Sequence, residues 1–400
     1  MLMNDRRAPS AGAAGLAWVL PAALVAQTFT AAMMFAPAVL APAASVDIGL
    51  PATLVGVVTA LTYLAAALAA PTLGARVPRW GAMRVTQGCL LIAGAGLALM
   101  ALVHPVAIAL AALVIGIGYG PSTPAGSALL AEHTPPHLRN LIMSLRQTGV
   151  PMGGALAGFA IPWLIAAGGW RMAVLVCGGT CAVMALALQP LRARVDHARG
   201  SDTARAGFGD ALRLLLTHGE LRRISISAFL FGCVQLSFAS FLVVYLVEQA
   251  ALSMVRAGAV LSAGMLAGAI GRLVWGAAAD YFRDARAVLM ALGVVSAGCA
   301  VLMTQVTPGW PYAVVIALAS VFGAATLGWN GVYIAELARV APAGKVAMAT
   351  GASLSCAYFG AVTAPPAFAW IVSTAGGYTA GYLLLALLAV AGVASLWHRR

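Results

Sequence analysis

Apolar residues fill this chain in blocks of about twenty or more, and polar residues collect in the short gaps between them. At 1.5 Å per residue, a helix of about 20 apolar residues crosses the roughly 30 Å hydrocarbon core of a bilayer. Twelve blocks reach that length, at about 15–40, 51–73, 84–103, 105–130, 141–167, 172–191, 224–247, 257–279, 287–306, 310–334, 346–374 and 378–397. One block carries an internal exception. Gly271 to Arg286 reads GRLVWGAAADYFRDAR, with an arginine inside the apolar run, eight residues ahead of an aspartate, and a basic loop behind it. A charge carried toward the bilayer centre is costly, so this position calls for a function.

Composition turns the pattern into a class. The 400 residues are 62% hydrophobic and 8% charged, with mean hydropathy +0.95. Soluble domains carry about 25% charged residues, so lipid must solvate this chain, and the fold class expected is an all-α integral membrane protein of twelve spans. Arg6 and Arg7 precede an apolar run too long for a signal peptide, which makes that run the first span. The net charge of +12 would suggest nucleic acid in a soluble protein. Here the basic residues follow the loops. With both termini in the cytoplasm, 19 of the 23 fall in cytoplasmic segments; Arg171 and Arg256 lie outside, and Arg146 and Arg272 within spans. That is the positive-inside bias, and it removes nucleic acid from the partners, leaving the bilayer and a small solute. The six cysteines all sit in apolar runs without histidine or acid beside them, so they read as packing residues, and no metal or cofactor is implied.

The longest polar segment, 192–223, separates an N-terminal six-helix bundle (1–191) from a C-terminal one (224–400). Its second part, FGDALRLLLTHGELRR, has the spacing of an amphipathic helix on the membrane surface. The halves repeat at an offset of 202 to 204 residues: Gly74 and Arg84 match Gly276 and Arg286, Glu132 matches Glu336, Thr148-Gly149 matches Thr350-Gly351, and Pro162 matches Pro366. Repeated halves are the mark of secondary transporters, with substrate bound between them near the midplane.

On these residues the chain resembles the major facilitator superfamily over nearly its whole length. That family's signature after spans two and eight is kept in the second copy at Gly276, Asp280 and Arg286, with Arg283 where glycine is usual. The first copy keeps Gly74, Arg79, Gly81 and Arg84, but Pro78 replaces the aspartate. The resemblance implies that these residues form a cytoplasmic gate. TGVPMGG in span five is similar to an exporter signature of the family, interrupted by Val150, while span four (GIGYGPSTPAG) lacks the arginine of its proton-coupled drug exporters. The span-eight pattern from Gly271 to Asp280 is similar to members that carry small carboxylates, and implies an anion-binding role for Arg272.

By helix arithmetic Arg272 lies about 12 Å inside Asp280, and Arg146 about 10 Å inside Arg139. Their repeat mates are Ala70 and Met348, so the shared scaffold does not require these cations. The family's arrangement makes spans five and eight face each other across the cleft, where two guanidiniums would form a fork for a carboxylate. Structural alternatives are pairing of Arg272 with Asp280 or helix-end carbonyls, and of Arg146 with Glu132. The resemblance implies that spans one, four, seven and ten line the cavity, which makes Gln27, Tyr119, Gln235, Trp329, Asn330 and Tyr333, with Gln147 on span five and Tyr358 on span eleven, the candidates for substrate contact.

No Asp, Glu or His falls near a span centre, no nucleotide-binding loop is visible, and no nucleophile–base pair suggests an enzyme. Proton symport in which substrate and proton share the arginine site, exchange and facilitated diffusion are all compatible with these residues. The leading expectation is a monomeric secondary transporter of a small organic anion, such as a carboxylate, in a bacterial inner membrane. The alternatives are an exporter of drugs or amphipathic metabolites and, more remotely, a transporter-like membrane sensor.

Overall fold

The computed structural model describes residues 11–74, 76–135, 138–196, 208–342 and 346–397, which are helical nearly throughout. The helices are α1 (Ala11–Ile48), α2 (Val55–Gly74), α3 (Val77–Trp80), α4 (Ala82–Leu99), α5 (Pro105–Tyr119), α6 (Ser122–His133), α7 (Arg139–Gln147) and α8 (Gly149–Ala187). They continue as α9 (Gln189–Val195), α10 (Phe208–Thr217), α11 (Gly219–Glu248), α12 (Met254–Phe282), α13 (Ala285–Met303), α14 (Tyr312–Val340), α15 (Val346–Thr374) and α16 (Gly377–Leu396).

Among the described residues, eleven helical stretches are long and apolar enough to cross a membrane. The longest, Leu141–Ala187, has 47 residues, about twice what a bilayer requires. Its backbone breaks at Gly168 (φ −162°, ψ 17°) and Gly169 (φ 82°, ψ 167°), where the sequence places the gap between its fifth and sixth blocks. The first helix runs to Ile48, beyond the expected end near 40; it tolerates Pro37 and Pro42 and ends before Gly49 (φ 72°). Lipid explains the outer surface: Leu68, Ile92, Phe159, Leu186, Val294 and Trp370 are exposed, and the buried residues gather between helices.

The surface-helix expectation for 208–223 needs correction. Only Phe208–Thr217 forms α10; His218 leaves the helical conformation, and Gly219 to Arg223 begin α11. Leu214 and Leu215 are buried in one cluster with Leu221 and Ala349, so α10 docks on α11 and α15. The apolar face packs on protein instead of lipid. Residues 197–207 of the expected linker lie outside the described residues.

The helices up to α8 and those from α11 onward meet chiefly where α8 packs on α12, α2 on α15 and α1 on α11. Small residues allow the close approach. A side chain on Gly158 would run into the backbone of Gly258, and the Ser262 hydroxyl donates to the Ala155 carbonyl at 2.7 Å. Thr59 and Ser240 share a hydrogen bond at 3.0 Å on the α2 side.

Candidate functional site

Arg272 sits where α12 and α14 cross closely. Gly264, Gly268 and Gly271 on α12 face Ala319, Leu327 and Ala324 on α14 with no room for a side chain. That proximity lets Arg272 Nε donate to the Leu327 carbonyl at 3.1 Å. Its Nη1 crosses to the other group of helices and donates to the Gln147 carbonyl at 2.9 Å. This acceptor is free for a local reason: Pro151, four residues on, has no N–H to close the helical bond to Gln147. The remaining nitrogen, Nη2, has no hydrogen bond among the described residues. The alternative pairing with Asp280 is not made; Asp280 is exposed.

Arg146, one residue before that carbonyl, is 1% exposed. Its Nη2 donates to Gln27 Oε1 at 2.6 Å and to the Ser122 carbonyl at 2.9 Å, and Nη1 reaches Ser127 Oγ at 3.4 Å. Gly126 on α6 makes the room, since a Cβ there would overlap the guanidinium. Glu132 is exposed and not its partner. Thus neither cation has a carboxylate among the described residues, although a buried charge ordinarily demands one. Three nearby polar atoms are buried without a hydrogen bond: Arg146 Nε, Gln27 Nε2 and Gln147 Oε1.

Tyrosines complete the surroundings. The Tyr119 phenol is within electrostatic range of both guanidiniums, and Tyr358 of Arg146. Tyr358, from α15, stands 6.3 Å from the ring of Tyr63 on α2, centroid to centroid. Tyr63 was absent from the sequence-based set; as the one tyrosine in the second block it was visible, but only packing shows which way it faces.

The α11 and α14 candidates join the site indirectly. Gln235 Oε1 accepts from Trp329 Nε1 at 2.9 Å and Asn330 Nδ2 at 3.2 Å, and Asn330 Nδ2 also reaches the Leu327 carbonyl that holds Arg272. Trp329 is buried against Phe231 and Tyr333. Tyr333 does not come to the cluster: it is fully buried, and its hydroxyl bonds Ser353, which also bonds Ser225.

The expected gate residues act within their own groups of helices. Arg286 pairs with Glu220 at the start of α11 and lies 3.4 Å from Glu336 at the end of α14, while Asp284 caps α13 by accepting from Ala287 N. Gly276 is on α12 with open space around it. In the first copy, Gly74 packs against Pro124, and Gly81 (φ 93°) makes the turn from α3 into α4. Arg79 and Arg84 are exposed. The cap of α4 comes from far away: Asp196 accepts from Met83 N at 2.9 Å and Arg84 N at 3.0 Å. Spacing could not reveal a cap supplied 112 residues downstream.

The family model described as Major Facilitator Superfamily matches residues 22–339, and the chain belongs to that family. Among curated proteins it is similar to the gallate transporter of Pseudomonas putida, 36% identical over 157 residues, 38% of this chain and 33% of that one. It is 30% identical over 182 residues to the 4-hydroxybenzoate transporter PcaK of Pseudomonas putida, 44% of this chain and 40% of that one. These matches span about a third to two fifths of the relatives' length. Among solved structures, the inward-facing, unoccupied bacterial homolog of the human lysosomal transporter Spinster aligns with a TM-score of 0.74 at 18% identity, covering 96% of this chain and 95% of that one. A point mutant of the nucleoside transporter NupG aligns at 0.77 with 16% identity, covering 94% of this chain and 98% of that one. At such identities these two likenesses concern the fold.

Proposed function

We propose that the chain is a secondary transporter of small organic anions, aromatic carboxylates above all, working by alternating access between two six-helix halves. The break at Gly168 and Gly169 divides the longest apolar stretch into two crossings and brings the count to twelve. The halves are then 1–191 and 224–400, joined by 192–223, with both termini in the cytoplasm of a bacterial cell and the protein in its inner membrane; the arginine distribution supports this orientation.

The observation that carries the substrate class is the Arg272 guanidinium bonded to the Gln147 carbonyl, one residue along the chain from the buried Arg146. Two cations without carboxylate partners among the described residues, one with no hydrogen bond at Nη2, supply a charge that an incoming carboxylate neutralises. Tyr63, Tyr119 and Tyr358 give the same site aromatic walls. The gallate and 4-hydroxybenzoate carriers among the relatives point to ligands of the same kind.

In the mechanism, Arg272 holds the anion with Nη2, and the Arg272–Gln147 bond links α12 to the end of α7. Ligand binding draws the guanidinium charge toward the carboxylate and loosens that cross-half bond, so occupancy and closure become coupled. Uptake of radiolabelled gallate, 4-hydroxybenzoate and benzoate into proteoliposomes, compared with uncharged benzyl alcohol, tests the proposal. Uptake of the acids but not the alcohol is expected; equal handling of both, or transport of none, rejects it.

A further inference from the structure

The two repeat-related arginines Arg84 and Arg286 have opposite surroundings. Arg286 is clamped between Glu220 and Glu336. Arg84 is exposed and pairs with no carboxylate among the described residues, and Glu132, the repeat mate of Glu336, does not reach it. The one acid at that corner among the described residues, Asp196, is engaged in capping the backbone at Met83 and Arg84. Arg76 and Arg79 are exposed on the same turn, with the Arg76 guanidinium 5.3 Å from the centre of the Trp80 ring. The three arginines of this turn therefore outnumber the one acid that reaches it among the described residues.

Beneath Arg84 lies a groove of about 450 Å³ between α2, α4 and α5. Leu73, Trp80, Arg84, Gly88, Ile92 and Ile117 are among the residues that line it. Ile92 and Ile117 are exposed on the surface that faces lipid. An apolar trough running into the bilayer under a cluster of arginines and an interfacial tryptophan matches one kind of molecule, with an anionic head and hydrocarbon tails. Gly88 deepens the trough, since a Cβ there meets nothing within 4 Å.

We infer that this groove is a binding site for an anionic diacyl phospholipid, whose phosphate is held by Arg84 with Arg76 and Arg79 and whose acyl chain lies over Gly88. Its leaflet, the cytoplasmic one, follows from the orientation proposed above; binding itself does not depend on that reading or on the transported substrate.

Native mass spectrometry and thermal unfolding of the purified full chain, titrated with phosphatidylglycerol or phosphatidylcholine, test the site. Saturable binding of phosphatidylglycerol with a raised unfolding temperature is expected, and none with phosphatidylcholine. Arg84→Ala should weaken the apparent affinity about fivefold, the effect of one basic side chain near an anionic lipid. Gly88→Leu, whose Cβ meets nothing within 4 Å and whose side chain occupies the trough, should weaken it as well. Arg283→Ala, on the repeat-related loop, should bind as the parent does. Equal binding of both lipids, parental binding by either Arg84→Ala or Gly88→Leu, or equally tight binding of free glycerol 3-phosphate overturns the inference.

Discussion

Arg272 donates to the carbonyl of Gln147 across the interface between the two groups of helices, at 2.9 Å. The acceptor exists because Pro151 cannot donate to it. A proline on one helix thereby prepares a site for an arginine on another, and the bond lies one residue from the second buried cation, Arg146.

Replacing Arg272 by lysine should be nearly as damaging as replacing it by alanine. An ammonium cannot span the Leu327 and Gln147 carbonyls and still present a free planar edge to a carboxylate. Losing a charged hydrogen bond of about 1.5–3 kcal/mol corresponds to roughly 10- to 150-fold weaker anion binding. Titration calorimetry with 4-hydroxybenzoate measures it, and parental affinity in Arg272→Lys would remove this residue from the site.

Pro151→Ala returns an N–H to α8 and gives the Gln147 carbonyl a helical partner. The variant should unfold at a slightly higher temperature, since one backbone hydrogen bond of about 0.5–1.5 kcal/mol can then close between α8 and the end of α7. Uptake should slow because Arg272 then shares its acceptor. An unchanged unfolding temperature together with parental uptake would show that Gln147 is not held open by Pro151.

Arg283 ends α12 in the left-handed region, φ 53° and ψ 24°, where glycine carries no steric penalty. Arg283→Gly should stabilise the protein by about 1 kcal/mol, read as a shift in thermal unfolding. Any destabilisation would mean that the arginine side chain contributes more than its backbone costs.

The repeat-related pair should respond unequally in detergent without added lipid. Arg286→Ala leaves Glu336, which is 3% exposed, with Arg339 as its remaining ion-pair partner among the described residues, and should cost about 1–3 kcal/mol. Arg84→Ala should change stability by less than about 0.5 kcal/mol, as expected for a surface position without ion pairs. Similar losses from both would contradict the asymmetry described above.

Asp196→Ala removes the acceptor for Met83 N and Arg84 N and should cost about 1 kcal/mol, the usual value of an N-cap. Hydrogen exchange confined to the first turn of α4 is the measurement that locates the effect.

The membrane class, the helical spans and the repeat were legible in the sequence because each depends on local counts: apolar run length, arginine position and residue offset. The two intramembrane arginines were legible for the same reason, as charges where lipid forbids them. Partner choice was not. Whether Arg272 turned to Asp280 or to Gln147, and Arg146 to Glu132 or to Gln27, depended on helix rotation and crossing, which glycine contacts on distant segments set. Tyr333 was expected in the cleft by its position on α14, yet packing turned it toward Ser353. Tyr63 and Asp196 entered through contacts that no spacing within one helix encodes. Local composition determines which segments enter a membrane; only close packing between segments determines which side chains they place face to face.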